Sequence, residues 1–190
     1  MYFPQAECFQ NEFPTHPSNH DTVNPDDDMV RKKPERNKSL AEKYPPSTPC
    51  SCEICLSYCK RPGWWTVEEA ASAIKAGYAS RMMLEMAPER TFGVLSPAFK
   101  GCEGDFALAR CAEKGCTFLR ENLCELHGTG LQPLECRFCH HDRLGLGEKC
   151  HADIEKEWHT SAGRGLVVQW SKQTGFWERR IAKKPGGPIR

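Results

Sequence analysis

Residues 50–59 read Cys-Ser-Cys-Glu-Ile-Cys-Leu-Ser-Tyr-Cys, four thiols in ten residues. Seven more cysteines follow: Cys102, Cys111, Cys116, Cys124, Cys136, Cys139 and Cys150. Only Cys8 lies outside this region, in a polar segment that gives it no evident task. Thiols at this density are either oxidised to disulfides or coordinated to metal, and the choice decides what kind of fold the chain makes. The first twenty residues carry no basic segment and no apolar run of signal-peptide length, so a reducing cytosolic setting is expected. No apolar stretch is long enough to span a bilayer as a helix. Twelve cysteines in 190 residues also fall short of the ~8–10% typical of disulfide scaffolds. Metal ligation is therefore the expected state.

The spacing agrees. Cys52-x2-Cys55 and Cys136-x2-Cys139 are knuckles in which one tight turn can present two sulfurs to one ion. Cys55 and Cys59 are four apart and share a helix face. Cys111-x4-Cys116 and Cys116-x7-Cys124 need a loop that folds back. The expected metal ligands are Cys50, Cys52, Cys55, Cys59, Cys116, Cys124, Cys136 and Cys139, with Cys102, Cys111, Cys150, His127 and His140 as further candidates. His141 and His151 also directly follow candidate ligands, where a turn histidine is the plainer reading; His159 reads as packing beside Trp158. The pairing of ligands into sites stays open: two four-sulfur sites, or two sites plus a third completed by histidine. Zn2+ at one to three sites is the expected cofactor, with a [4Fe-4S] cluster as the alternative.

Working outward, Arg61-Pro62-Gly63-Trp64-Trp65 is a turn that delivers two large aromatics. Thr66-Val67-Glu68-Glu69 reads as a capping box, with Val67, Ala70, Ala71 and Ile74 on one helix face and Gly77 as its left-handed stop. A second short helix is expected over about 79–86, carrying Ala79, Met82, Met83 and Met86 as core filler and ended by Pro88. Short strands are expected around Phe92–Leu95 and Phe106–Leu108, few regular elements between Cys111 and Cys150, and helices over 151–159 and about 161–173, the latter stopped by Gly175. The fold class is a small α+β, irregular, metal-stapled domain with short helices and few short strands. Its expected extent is 49–178, after a flexible, proline-rich tail (1–48) and before a basic tail (179–190). Phe3, Phe9 and Phe13 could tuck onto the domain.

Several function classes are disfavoured. A net charge of +1 gives no general attraction to nucleic acid or anionic membrane. The chain has no glycine-rich nucleotide loop, no Walker motif and no His-Glu-x-x-His. Trp64 and Trp65 are expected to pack on the 67–76 helix and cover the metal site rather than stack on a ligand.

The run Gly115-Cys116-Thr117-Phe118-Leu119, then Cys124-Glu125-Leu126-His127, then Pro133-Leu134-Glu135-Cys136-Arg137 resembles the second half of the CxxCxxCC family, the YkgJ-like zinc- or iron-chelating cysteine-cluster proteins. The front cluster, Cys50 to Cys59, would be the first half, so the resemblance covers about residues 50–140. The chain departs from the pattern in three places: the adjacent Cys-Cys pair is missing, Gln132 precedes Pro133 in place of arginine, and His127 stands where tyrosine is usual. The resemblance implies a zinc or iron–sulfur site carried by Cys52, Cys55, Cys59, Cys116, Cys124 and Cys136. One branch of the family is an iron–sulfur flagellin lysine methylase, which implies an enzymatic alternative. The leading expectation is a cytosolic metal-binding module with mainly structural thiolate sites and a protein partner. The alternatives are an iron–sulfur enzyme, redox or protein-modifying, and a zinc-ribbon-like nucleic-acid adapter.

Overall fold

The computed structural model describes residues 40–87, 91–143 and 147–182. It is a small α+β fold: short helices around two two-stranded antiparallel sheets. The expected aromatic docking of the first residues, and residues 183–190 of the basic tail, lie outside the described residues.

Helix α1 (Leu40–Lys43) leads into Tyr44, which is buried, so packing begins ahead of residue 49. Helix α2 (Glu53–Tyr58) lies inside the first cysteine group, with Cys52 as its N-cap and Cys59 as its C-cap. Helix α3 (Val67–Ala73) starts as read. Thr66 Oγ1 accepts from the Glu69 amide at 3.1 Å, and Glu69 Oε2 accepts from the Thr66 amide at 3.1 Å.

Gly77 takes the positive φ expected of it, +91°, but inside a π turn over Ile74–Tyr78 that runs on into a 3-10 turn at Ala79–Arg81. The expected helix over 79–86 is corrected here: Met82–Met86 is strand β1, paired antiparallel with β2 (Gly93–Pro97). Met82, Met83 and Leu84 are buried in succession because both faces of the strand are covered. A continuous apolar run of this kind has no period to separate strand from helix. Phe106 adds a single parallel bridge to Leu84, and Phe99 an antiparallel bridge to Cys116.

A second hairpin joins β3 (Leu119–Arg120) to β4 (Leu123–Cys124). Its two turn residues, Glu121 and Asn122, both have positive φ, the backbone that a two-residue hairpin turn demands. Arg81 holds the hairpin down. Its guanidinium donates to Thr117 O at 2.6 Å, pairs with Glu125 at 2.7 Å and lies 3.9 Å from the Phe118 ring centroid. Helices α4 (Gly147–Trp158), α5 (Ser161–Thr174) and α6 (Phe176–Ala182) close the structure, with Gly175 left-handed between the last two. Helix α6 continues past residue 179, and Phe176 packs edge-on against Phe106. His159 stacks on Phe92.

The core is built around tryptophan. Trp64, Trp65, Trp158 and Trp170 are buried with Phe118, Phe176, Leu95 and Leu134. Buried indole N–H groups need acceptors. Trp65 donates to Leu131 O, Trp158 to Trp65 O and Trp170 to Ala79 O, at 2.7–2.8 Å.

One carboxylate links the core to the cysteine knuckle at 136–139. Glu69 Oε2 also accepts from the Leu134 amide at 2.9 Å, and Oε1 pairs with Arg137 at 2.8 Å. Arg137 Nη1 donates to Tyr44 O at 2.8 Å. Arg137 is buried and the Glu69 side chain is 11% exposed, so removing one would strand the other charge largely out of water. Arg137→Ala should therefore lower unfolding free energy by about 3–5 kcal/mol. Denaturant titration of the metal-loaded protein measures it; a loss under about 1 kcal/mol would mean the pair is dispensable.

Candidate metal centre

The first cysteine group and the turn after Cys139 meet face to face. Cys50 Sγ lies 3.6 Å, Cys52 Sγ 3.7 Å and Cys55 Sγ 3.4 Å from Nδ1 of His141. The ligand atoms of Cys50, Cys55, His140 and His141 all lie within 4.8 Å of one another. A tetrahedral zinc ion with bonds of about 2.0–2.3 Å holds its ligands roughly 3.3–3.8 Å apart. The three distances to His141 Nδ1 fall in that range.

His140 adds an independent sign. Its ring is 4% exposed; Nδ1 is paired with the Asp142 carboxylate, and Nε2 is buried without a hydrogen-bond partner among the described residues. A buried, unpaired ring nitrogen is costly. A metal-ligating histidine characteristically has one nitrogen on a carboxylate and the other facing the ion. The donor set thus fits a soft or borderline divalent ion, held by sulfur and imidazole together.

Helix α2 explains why Cys52 differs from Cys55. The backbone amide of Cys55 holds the Cys52 thiol down at about 7, aided by Cys50 and Cys55 themselves. Cys55 is buried, and burial pushes its thiol up to about 12. A bound cation reverses that penalty, since a coordinated thiol is deprotonated outright.

Further thiols lie beside this group: Cys59, Cys116, Cys124, Cys136 and Cys139 line one cavity of about 60 Å³ together with Cys50, Cys55 and His140. Backbone contacts bring the parts together. The Cys116 amide donates to Cys59 O at 2.8 Å, and Cys116 Sγ accepts from the Phe118 amide at 3.4 Å. The hairpin turn returns the chain so that Cys124 sits opposite Leu119. Cys136 Sγ accepts from the Gly63 amide at 3.1 Å. That approach requires glycine: a Cβ at residue 63 would come within 2.7 Å of Glu135 Cβ and 2.8 Å of the Cys136 amide.

Burial pushes Cys59 up to about 12 and Cys124 up to about 11, with Cys136 as the next contributor to both. Burial also raises Cys116, with Cys136, Cys124 and Cys59 adding to the shift. Cys136 is raised first by its hydrogen bond with Cys139 and then by burial. These thiols are near enough to raise one another, but among the described residues the donors that converge within 4.8 Å are Cys50, Cys55, His140 and His141.

The remaining candidates lie elsewhere. Cys102 and Cys111 are buried together in a satellite apolar cluster with Met83, Ala98 and Phe99. Burial and its neighbour Cys111 raise the Cys102 thiol to about 11. Cys150 is in the main core, where burial raises it to about 12. His127 lines the cavity half-buried, and burial lowers its pKa. His151 faces Glu135 at 2.8 Å and stacks on Trp64. His141 is the donor that the leading candidate set omitted. Its only signal in the sequence is adjacency to His140 and Cys139, which a chance surface histidine shares.

No family model, no curated protein and no solved structure matches this chain.

Asp142 is exposed and its carboxyl is held below the usual range by the hydrogen bond to His140. Asp142→Asn should therefore leave the fold intact while weakening metal affinity by about 10–100-fold. Competition titration against a chelator of known affinity reads this; unchanged affinity would remove His140 from the ligand set.

Proposed function

We propose that this is a zinc–thiolate protein whose metal clamps residues 50–59 against the turn at 136–143 and so completes the fold. One observation carries the reading. Three sulfurs from the α2 segment converge on His141 Nδ1 at 3.4–3.7 Å, beside a buried His140 nitrogen with no hydrogen-bond partner among the described residues. A mixed sulfur and imidazole donor set is the ordinary dress of structural zinc. The resemblance to the CxxCxxCC chelating proteins supports the same chemistry. Zinc fits the mixed sulfur and imidazole set better than iron–sulfur, although the thiols of Cys59, Cys116, Cys124 and Cys136 are of the kind that a [4Fe-4S] cluster also uses.

The role we assign is structural, in the service of a protein partner. Ile54 on α2 and Leu123 at the hairpin are each 48% exposed. Ile54 lies on the helix that the metal would hold in place and Leu123 on the hairpin that lines the same cavity, and apolar side chains left outside in this way suit a protein contact. No helix among the described residues is long and apolar enough to cross a membrane. We place the protein in the cytosol, where thiols stay available to metal.

Elemental analysis and an absorption spectrum of anaerobically prepared protein test the metal. Stoichiometric zinc in a colourless sample is expected; a brown sample with broad absorbance near 400 nm, where cluster charge-transfer bands are expected, would overturn zinc in favour of iron–sulfur. Apparent folding contributions of structural zinc run to about 10–16 kcal/mol. A strong chelator should therefore abolish the near-ultraviolet circular dichroism of the buried tryptophans. A fold indifferent to chelation would defeat the structural role.

A further inference from the structure

Helix α6 has one side held and one side open. Phe176 is buried against Phe106, and Arg180, four residues on, lies 4.6 Å from the Phe106 ring centroid and pairs with Asp105 at 2.6 Å. Arg179 adds a bond from Nη2 to Gly104 O at 2.6 Å. Trp177 and Ile181 are also four apart, and so neighbours on one face, but they are left 54% and 74% exposed. A tryptophan and an isoleucine side by side in water form an apolar stripe on a helix that is otherwise anchored. Its surroundings are basic. Residues 172–190 carry Lys172, Arg179, Arg180, Lys183, Lys184 and Arg190 against one acidic residue, Glu178. The whole chain has a net charge of only +1, so charge is unevenly spread along it. Residues 1–30 are the opposite case: Glu7, Glu12, Asp21 and Asp26 to Asp28, with no Lys or Arg, and with Tyr2, Phe3, Phe9 and Phe13 among them.

We propose that the Trp177–Ile181 face is a docking surface for residues 1–30 of the same chain, with Phe9 and Phe13 covering the apolar stripe and Asp26–Asp28 set against the basic residues around it. The face asks for an occupant that is both apolar and anionic. A second copy presenting the same face would bring like charges together. A nucleic acid would satisfy the charge, but Ile181 offers no ring on which a base can stack. Residues 1–30 supply rings and carboxylates together. They also have the reach: the chain between Phe13 and Leu40 spans up to about 90 Å when extended, against a diameter of roughly 35–40 Å for a domain of this size. Covalent attachment holds the segment near the face at an effective concentration of roughly millimolar. An anionic lipid surface offers the same two features without the attachment, and is the competing occupant. The contacts named above for α6 involve no candidate metal ligand, so the proposal stands apart from the zinc reading.

Trp64, Trp65, Trp158 and Trp170 are buried, so quenching of the full chain's fluorescence by neutral acrylamide reads Trp177, and Trp177→Phe identifies its share. In the unaltered protein Trp177 should be shielded. Asp26→Asn, Asp27→Asn and Asp28→Asn together, or Phe9→Ser with Phe13→Ser, should raise its quenching at least about twofold at low ionic strength, and so should about 1 M NaCl on the unaltered protein, where the Debye length falls to about 3 Å. Carbodiimide coupling of the unaltered protein gives a second reading that needs no variant. It should join a Lys183 or Lys184 amine to a carboxylate of Asp26–Asp28 as an amide, with loss of one water, within the monomer. Trp177 as open in the unaltered protein as in the variants, with no such cross-link, would overturn the proposal. Cross-links confined to dimers would overturn it by giving the face to a second copy. Shielding that appears only when phosphatidylcholine–phosphatidylserine vesicles are added would overturn it in favour of a lipid surface.

Discussion

The buried Glu69 carboxylate is the constraint on which the rest depends. It closes the capping box of α3, accepts from the Leu134 amide and pairs with Arg137, which stands between Cys136 and Cys139. Burial raises its pKa, and the Thr66 and Leu134 amides and Arg137 work against that shift by favouring the anion. A buried carboxylate is tolerable only when its oxygens are satisfied in this way. The result is that the start of a helix and a metal knuckle more than sixty residues away form one rigid piece. Arg137 extends that piece to Tyr44, and Arg143 donates to Pro45 O at 2.7 Å and Pro46 O at 2.9 Å. The segment entering the first cysteine group is thereby set in place before any ion is considered.

The thiols face the opposite problem. Cys55, Cys59, Cys116 and Cys124 are all pushed up by burial, so their ionised forms are disfavoured without a cation. The fold gathers them nonetheless, around a cavity where the Gly63 and Phe118 amides donate to the sulfurs of Cys136 and Cys116. Amide-to-sulfur bonds favour the thiolate, so the backbone is prepared for charge that the apolar surroundings resist. A divalent ion resolves the conflict by binding the deprotonated form. The same argument separates Cys102 and Cys111: they too are buried, but among Met83, Ala98 and Phe99, and behave as small apolar residues there.

Local chemistry was legible from sequence, and tertiary grouping was not. Thr66 and Glu69 are three residues apart, and their reciprocal bonds follow from helix geometry alone. Gly77 and Gly175 took positive φ for similarly local reasons. Met82–Met86 misled because a strand buried on both faces shows no alternation, and its pairing with Gly93–Pro97 is decided outside the segment. The α+β class with short elements could be read from punctuation by glycine, proline and cysteine. Cysteine spacing pointed to metal, but it could not tell that Cys55 and Cys59, neighbours on one helix face, turn towards different groups. Nor could it promote His141 over His127 or His151. That choice depends on how the chain turns after Cys139, and on Asp142 occupying one nitrogen of His140.

Two stretches carry donors of both groups. Cys55 lies in helix α2 and Cys59 is its C-cap, so one short helix sends one thiol towards His140 and His141 and another towards Cys136. Cys136 lies in the 3-10 turn at Glu135–Phe138, and the chain leaves helical geometry at Cys139, with ψ +59°, before it reaches His140. That break sets His140 and His141 facing Cys50 and Cys55. An ion held by these four would tie α2 to the turn after Cys139, beside the knuckle that Glu69 and Arg137 already anchor. Cys116 and Cys124 reach their places through the bridge at Phe99 and the β3–β4 hairpin, independently of that ion.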